Sequence, residues 1–263
     1  SIRMLTWDQA HDLKPDVVIS TLVENDLGWA QFAKDVGATF GVQVGNQGAD
    51  VHWLAARFAM LSSTTPGFTP WMPHVYYHQE FSLSDFAPDP DGARVIPGTV
   101  RSFVQCMLSA GRGYDRFQAL AQAPWDVKYH GHCEPFDDLW AGNCHTTRAV
   151  AERMAEAQVA WHFKEWSDGY GHVIHNWAAI GRPMLVSADY YRDKLAGPLL
   201  HEGVTSWDIR RRTDGEIADL VNRLMTDRDF WLKHAHAMAE RFEDVVDFDS
   251  EADAIRRMIE GVM

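Results

Sequence analysis

The stretch that decides the fold is Trp161-His162-Phe163-Lys164-Glu165-Trp166-Ser167-Asp168-Gly169-Tyr170-Gly171-His172-Val173-Ile174-His175-Asn176-Trp177. It runs on through Ala178-Ala179-Ile180-Gly181-Arg182-Pro183-Met184-Leu185-Val186. An apolar strand, Val159 to Phe163, leads in. A loop with two glycines, Asp168 to Gly171, then feeds a helix predicted over His172 to Ile180. Gly181 stops that helix, Pro183 follows, and Met184 to Ser187 reads as the next strand. Strand, glycine loop, helix, strand is the repeating unit of a parallel sheet with right-handed crossovers. Glycine lets the backbone approach a ligand, and the free amides at the helix start suit a phosphate. Asp168 stands just before this place and Asn176 about two turns into the helix. The seven residues between them leave both on nearly the same side.

The same alternation runs outward in both directions. Upstream, Asp16 to Ser20 reads as a buried strand, Trp29 to Val36 as a helix closed by Gly37, and Thr39 to Val44 as a strand. Val51 to Leu61 has a helical pattern, and His74 to Tyr77 looks extended. Phe86-Ala87-Pro88-Asp89-Pro90-Asp91-Gly92 is rich in turn residues and reads as an interdomain linker. Beyond it lie a strand over Val100 to Met107, a helix over Tyr114 to Ala123, a strand over Val127 to His130 and a helix over Thr147 to Ala157. Helices dominate after Asp214. The fold class expected is α/β: two Rossmann-like domains with parallel sheets facing across a cleft. The first spans residues 1–92 and the second 93–250, with a last helix over 251–263 packing back on the first.

Composition narrows the function classes. Hydrophobic residues are 46% and charged residues 23% of 263, enough apolar material for a sizeable core. No run of about 18 apolar residues is present, so no membrane-spanning helix is expected. Ser1-Ile2-Arg3-Met4 lacks signal-peptide anatomy, and Cys106, Cys133 and Cys144 form no paired spacing, so the expected location is a reducing cytoplasm. Net charge is −13. Residues 1–97 hold 5 Lys and Arg against 11 Asp and Glu, which disfavours DNA as a partner, because duplex affinity rests on neutralised phosphates.

The residues from Asp168 to Val186 resemble the second domain of GT-B glycosyltransferases, above all the retaining group with a Glu, seven residues, Glu motif. That motif reads roughly Glu-Gly-Phe-Gly, an apolar helix with a second Glu, then Ala-x-Gly-Arg/Lys-Pro and a strand. Here stand Asp168-Gly169-Tyr170-Gly171, Asn176, and Ala179-Ile180-Gly181-Arg182-Pro183. A looser likeness extends from about residue 85 to the end. Phe86-Ala87-Pro88 is similar to the Phe-x-Pro before the family's linker. Gly111-Arg112-Gly113-Tyr114 after a strand is similar to its Lys-Gly and helix. The chain departs from the pattern at both acids, now Asp and Asn. Gly45-Asn46 stand where the family has a first-domain His, and the first domain is short or truncated.

The resemblance implies a site. Asp168 takes the place of the first glutamate, near the transferring sugar, as the catalytic acid. Arg112, Lys164, Gly169, Tyr170, Gly171 and His172 would hold the donor diphosphate. Asn176 would hold the nucleotide ribose, and Gly131 and His132 form the strand end facing the nucleotide. On the acceptor side, Glu24 and Asp26 end a first-domain strand. The family needs no cofactor and no metal. His130, His132, Cys133, Cys144 and His145 match no standard zinc spacing. The implied activity is transfer of a sugar from a nucleotide-diphosphate sugar, of UDP or GDP type, to a hydroxyl of a glycan, lipid-linked or small-molecule acceptor. Two alternatives are glycosylation of hydroxymethylated DNA bases, as in phage enzymes, and an inactive nucleotide-sugar or glycan binding module.

Overall fold

A computed structural model describes residues 4–21, 26–45, 56–62, 71–103, 112–131, 137–164 and 168–263; the side chains of Asp26 and Arg112 lie outside it. The chain divides into two compact units. One comprises residues 1–79 with 247–263, the other residues 80–246.

The first unit opens with α1 (Trp7–Leu13), started by a capping box in which Thr6 and Gln9 exchange backbone and side-chain hydrogen bonds. β1 (Val17–Ser20), α2 (Asp26–Val36), β2 (Thr39–Val44), β3 (Phe58–Leu61) and β4 (His74–Tyr76) follow. The four strands are all parallel and lie in chain order. Val18, Phe32, Phe40, Val42 and Leu61 form the core. The last helix of the chain, Phe248–Glu260, belongs to this unit and packs on β3 and β4. Its Glu251 carboxylate accepts the His78 amide at 2.7 Å and lies 2.6 Å from His78 Nδ1.

One element is corrected here. Phe58 to Leu61, placed at the end of a helical pattern by the sequence, is a strand paired with β2; residues 51–55 lie outside the described residues. A short apolar run has no period of its own, and parallel pairing on a buried sheet decides it.

The second unit runs β5 (Thr99–Phe103), α3 (Arg112–Leu120), β6 (Asp126–His130), α4 (Thr147–Glu156), β7 (Val159–His162) and α5 (His172–Ile180). It continues with β8 (Met184–Val186), α6 (Ala188–Tyr191), β9 (Ser206–Asp208), α7 (Asp214–Thr226) and α8 (Arg228–Val245); the last helix of the chain is α9. The strand order is β6-β5-β7-β8-β9, all parallel. Chain direction across the sheet reverses between β5 and β7. That is the topological switch point, where a doubly wound sheet leaves a crevice beyond its strand ends. Val100, Phe117, Tyr129, Trp161, Leu185 and Trp231 fill the core, and Trp231 Nε1 donates to the Gln158 carbonyl at 2.7 Å.

The turn-rich segment Phe86 to Gly92 lies inside the second unit and does not link the two. Arg182 is the reason. It is fully buried and donates to the Asp89 carboxylate at 2.5 Å, the Asp89 carbonyl at 2.7 Å and the Ala155 carbonyl at 2.7 Å. A buried guanidinium needs a counter-charge and acceptors for its protons. Asp89 meets that need and also accepts the Ala93 and Arg94 amides. The turn residues mark a tight loop around this ion pair, and the units part at Gln79 and Glu80.

Candidate functional site

β7 ends in His162, and residues 165–167 lie outside the described residues. The chain returns at Asp168 and turns through Gly169, Tyr170 and Gly171 into α5. Gly171 is the N-cap of α5, with φ 82°, a left-handed backbone that favours glycine. Among the described residues, no side chain caps the helix. The first amides of a helix have no carbonyl one turn earlier, so this end presents donors and the positive end of the helix dipole. Tyr170 turns its ring inward and stacks on His175 at 4.1 Å. It contributes its backbone to the loop and its side chain to the core.

Beside this helix end is a cavity of about 510 Å³. Its walls include Phe103 at the end of β5, His130 and Gly131 at the end of β6, and His172 and Asn176 on α5. Residues 143–147, leading into α4, close another side. The cavity therefore sits on the β6 and β5 side of the switch point. Phe103 and His130 stack at 4.8 Å with 20° between ring planes. Burial, with the charges of Arg101 and Arg153 adding to it, pushes the His130 imidazole down to about 4, so the ring is neutral at neutral pH. Asn176 is 4% exposed. Its Oδ1 is buried and has no hydrogen-bond partner among the described residues. A buried acceptor without a donor is costly, and a ligand hydroxyl or amide in the cavity would relieve it.

On the other side of the loop lies a denser polar group. Asp168 Oδ2 accepts the Tyr191 hydroxyl at 2.8 Å and Oδ1 accepts the Gly171 amide at 2.9 Å. The Tyr191 oxygen is 2.9 Å from His162 Nε2. His162 Nε2 and Lys164 Nζ lie 3.8 and 3.7 Å from Oδ2. Burial alone would raise the Asp168 carboxyl. His162, Lys164 and Tyr191 outweigh it and hold the group well below the usual carboxylate range.

Of the residues singled out from the sequence, the cavity gathers Gly131, His172 and Asn176. Asp168 and Lys164 form an ion pair on the loop and do not line the cavity. Gly169 and Gly171 are buried in the loop. Arg112 opens α3, and Asp26 opens α2. Their side chains, with His132 and Glu24, lie outside the described residues. Among the described residues, no group of three or more His, Cys, Asp or Glu side chains is placed to hold a metal ion. Asp89-Pro90-Asp91 has a metal-binding spacing, but its first carboxylate is taken by Arg182 and its second lies 3.0 Å from His236.

Sequence reasoning missed Phe103, His162, Tyr190, Tyr191 and Lys194, and weighed His130 only as a zinc ligand. The signal for three of them was positional: Phe103, His130 and His162 each end a parallel strand, where ligand groups collect. Tyr191 and Lys194 carry no such mark, since they meet Asp168 from 23 and 26 residues away.

No family profile matches the chain, and no curated protein matches it in sequence. Solved structures do match in fold. HepE of Anabaena, in complex with UDP and glucose, aligns with a TM-score of 0.71 and 13% identity over 97% of this chain and 80% of its own. An alpha-glucosyltransferase in complex with UDP-glucose and DNA containing an abasic site aligns with a TM-score of 0.69 and 9% identity, covering 96% and 83%. Sucrose-phosphate synthase of Thermosynechococcus elongatus aligns with a TM-score of 0.60 and 13% identity, covering 94% and 73%. The two parallel α/β units of this chain thus have the fold of the GT-B glycosyltransferases.

Proposed function

We propose that this chain is a glycosyltransferase that takes its sugar from a nucleotide-diphosphate donor of UDP or GDP type. The observation that carries the reading is the cavity at the switch point. It is neutral and aromatic on one wall, holds at Asn176 a buried amide oxygen with no partner among the described residues, and opens beside the N-terminal end of α5. A nucleoside fits that chemistry, with its base against Phe103 and His130 and a ribose hydroxyl donating to Asn176 Oδ1. The diphosphate then falls at the amides of the glycine loop and α5, where the helix dipole favours an anion. HepE and the alpha-glucosyltransferase each hold UDP or UDP-glucose, which supports the same donor class.

The residues of this chain set the chemistry. As the glycosidic bond breaks, charge grows on the leaving diphosphate. Helix amides already aimed at it need no reorganisation, and Lys164 and Arg112 supply compensating charge. We assign no metal and no cofactor to this step. The acceptor is a hydroxyl of a glycan, a lipid-linked glycan or a small molecule, and the expected setting is the cytoplasm. A second reading, transfer to a hydroxymethylated DNA base, draws on the neighbour bound to DNA. The acidic balance of residues 1–97 counts against it.

The test is turnover of UDP-glucose and GDP-glucose with excess chelator, against glycans and hydroxymethylated DNA. Metal-free release of nucleotide, sped up by one acceptor class, is the expected result. Nucleotide binding with no hydrolysis or transfer would replace the enzyme by a binding module.

A further inference from the structure

Every polar atom of Asp168 is already engaged. Its amide donates to the Tyr190 hydroxyl at 3.0 Å, and that hydroxyl donates to the Asp168 carbonyl at 3.1 Å. The ammonium of Lys194 donates to the same carbonyl and lies 3.2 Å from the centre of the Tyr190 ring. The carboxylate takes the Tyr191 hydroxyl on one oxygen and the Gly171 amide on the other. Tyr191 is fully buried and Lys194 nearly so. Tyr191 ends α6 and Lys194 follows it, just after β8, so the hold is imposed by the fold and is independent of any ligand.

The fit extends to the loop itself. A Cβ added to Gly171 would lie 2.9 Å from the Ala196 Cβ and 3.2 Å from the Tyr191 ring. The glycine loop is therefore shaped against the same segment that grips Asp168. Both carboxylate oxygens are engaged by the fold, and Asp168 sits outside the cavity lining.

We infer that Tyr190, Tyr191 and Lys194 are positioning residues that fix Asp168, and that Asp168 serves by holding the glycine loop in its ligand-ready shape rather than by touching the sugar. This rests on the donor reading above for what the loop binds, though not for the hold itself. His162 belongs to the same chain of groups. With the Tyr191 proton directed to Asp168, His162 must donate from Nε2 to the Tyr191 oxygen.

The experiment compares wild type with Asp168→Asn, Asp168→Ala and Tyr191→Phe. Amide hydrogen exchange over residues 169–172 is read in nucleotide-free protein, and UDP affinity and UDP-glucose turnover are read separately. Asp168→Asn keeps an acceptor for Gly171, and its NH2 donates to the Tyr191 oxygen while the Tyr191 proton turns to His162 Nε2, so it should retain loop protection, with affinity and kcat within about threefold of wild type. Asp168→Ala and Tyr191→Phe should speed exchange about tenfold and weaken UDP about tenfold, with Tyr191→Phe leaving kcat nearly unchanged. Histidine nitrogen NMR should find His162 protonated on Nε2. The inference is overturned if Asp168→Asn keeps the loop protected yet loses turnover as fully as Asp168→Ala, because the charge would then act on the substrate. It is equally overturned if Tyr191→Phe leaves loop exchange unchanged. Failure of wild type to bind UDP would sink the donor reading, while the exchange data would still decide the hold on the loop.

Discussion

Asp168 and Asn176 are eight positions apart and both stand at the glycine loop and its helix, yet their surroundings are opposite. Asp168 has each polar atom held by the protein. Asn176 is buried beside a cavity with an acceptor that has no partner among the described residues. Folding alone accounts for the first, because satisfied buried groups stabilise and rigidify a structure. It does not account for the second, which costs stability unless something enters to pair with it. The contrast separates the part of the site that shapes from the part that binds.

Mutations sharpen this contrast. The largest effect is expected at Arg182, whose buried guanidinium donates to Asp89 and Ala155. Arg182→Ala removes the buried guanidinium that pairs with the Asp89 carboxylate and with the Asp89 and Ala155 carbonyls, and should cost about 3–5 kcal/mol in denaturant unfolding. A loss below about 1 kcal/mol would show that the Arg182–Asp89 ion pair is not what braces α5 against the residue 86–92 loop. Tyr191→Phe should cost about 1–3 kcal/mol, since its hydroxyl satisfies both Asp168 and His162.

Asn176→Ala should behave the other way. Its Oδ1 makes no hydrogen bond among the described residues, so chemical denaturation of the unliganded protein should shift by less than about 1 kcal/mol. UDP affinity should fall about tenfold, which is roughly 1.4 kcal/mol. A variant that unfolds more easily but binds UDP normally would erase the distinction between the two residues.

The smallest effect concerns pH. Burial pushes the Lys194 ammonium down to about 8, with Lys164 nearby opposing its charge and Asp168 favouring it. The unfolded chain therefore holds this proton at pH values where the folded protein has released it. Stability contributed by this residue should rise as pH increases from about 8 toward the ordinary lysine value of 10.5. Lys194→Met should flatten that segment of the stability profile, and an unchanged slope would remove Lys194 from the buried network.

Much of the architecture was legible because its signals are local. Gly171 and Gly181, both left-handed, bracket α5, and the sequence places that helix over the residues the structure gives it. Thr39 to Val44 is likewise the observed β2. Phe58 to Leu61 was not legible, because four apolar residues fit a strand or a helix and only pairing with β2 decides. Ser206 to Asp208 makes three residues of strand, too short for alternation to register, and Trp207 is buried there by tertiary packing. At α1, Thr6 and Gln9 carry a capping-box pattern that went unread.

The site divides in the same way. Asp168, the glycines and Asn176 lie on one continuous segment, so spacing alone brings them together. Tyr190, Tyr191 and Lys194 act on that segment from α6 and the residues just after it, and nothing in the sequence marks their contact with Asp168. The aromatic wall of Phe103 and His130 depends on the β5–β6 pairing that sets Phe103 opposite His130.

The most direct test of the central claim is a calorimetric titration of the wild-type protein with UDP, GDP, ADP, CDP and dTDP in the presence of chelator. Saturable one-to-one binding of one nucleoside diphosphate is expected, weakened about tenfold in Asn176→Ala. No binding by any of the five, or binding that Asn176→Ala leaves untouched, would contradict the assignment of this cavity to the donor.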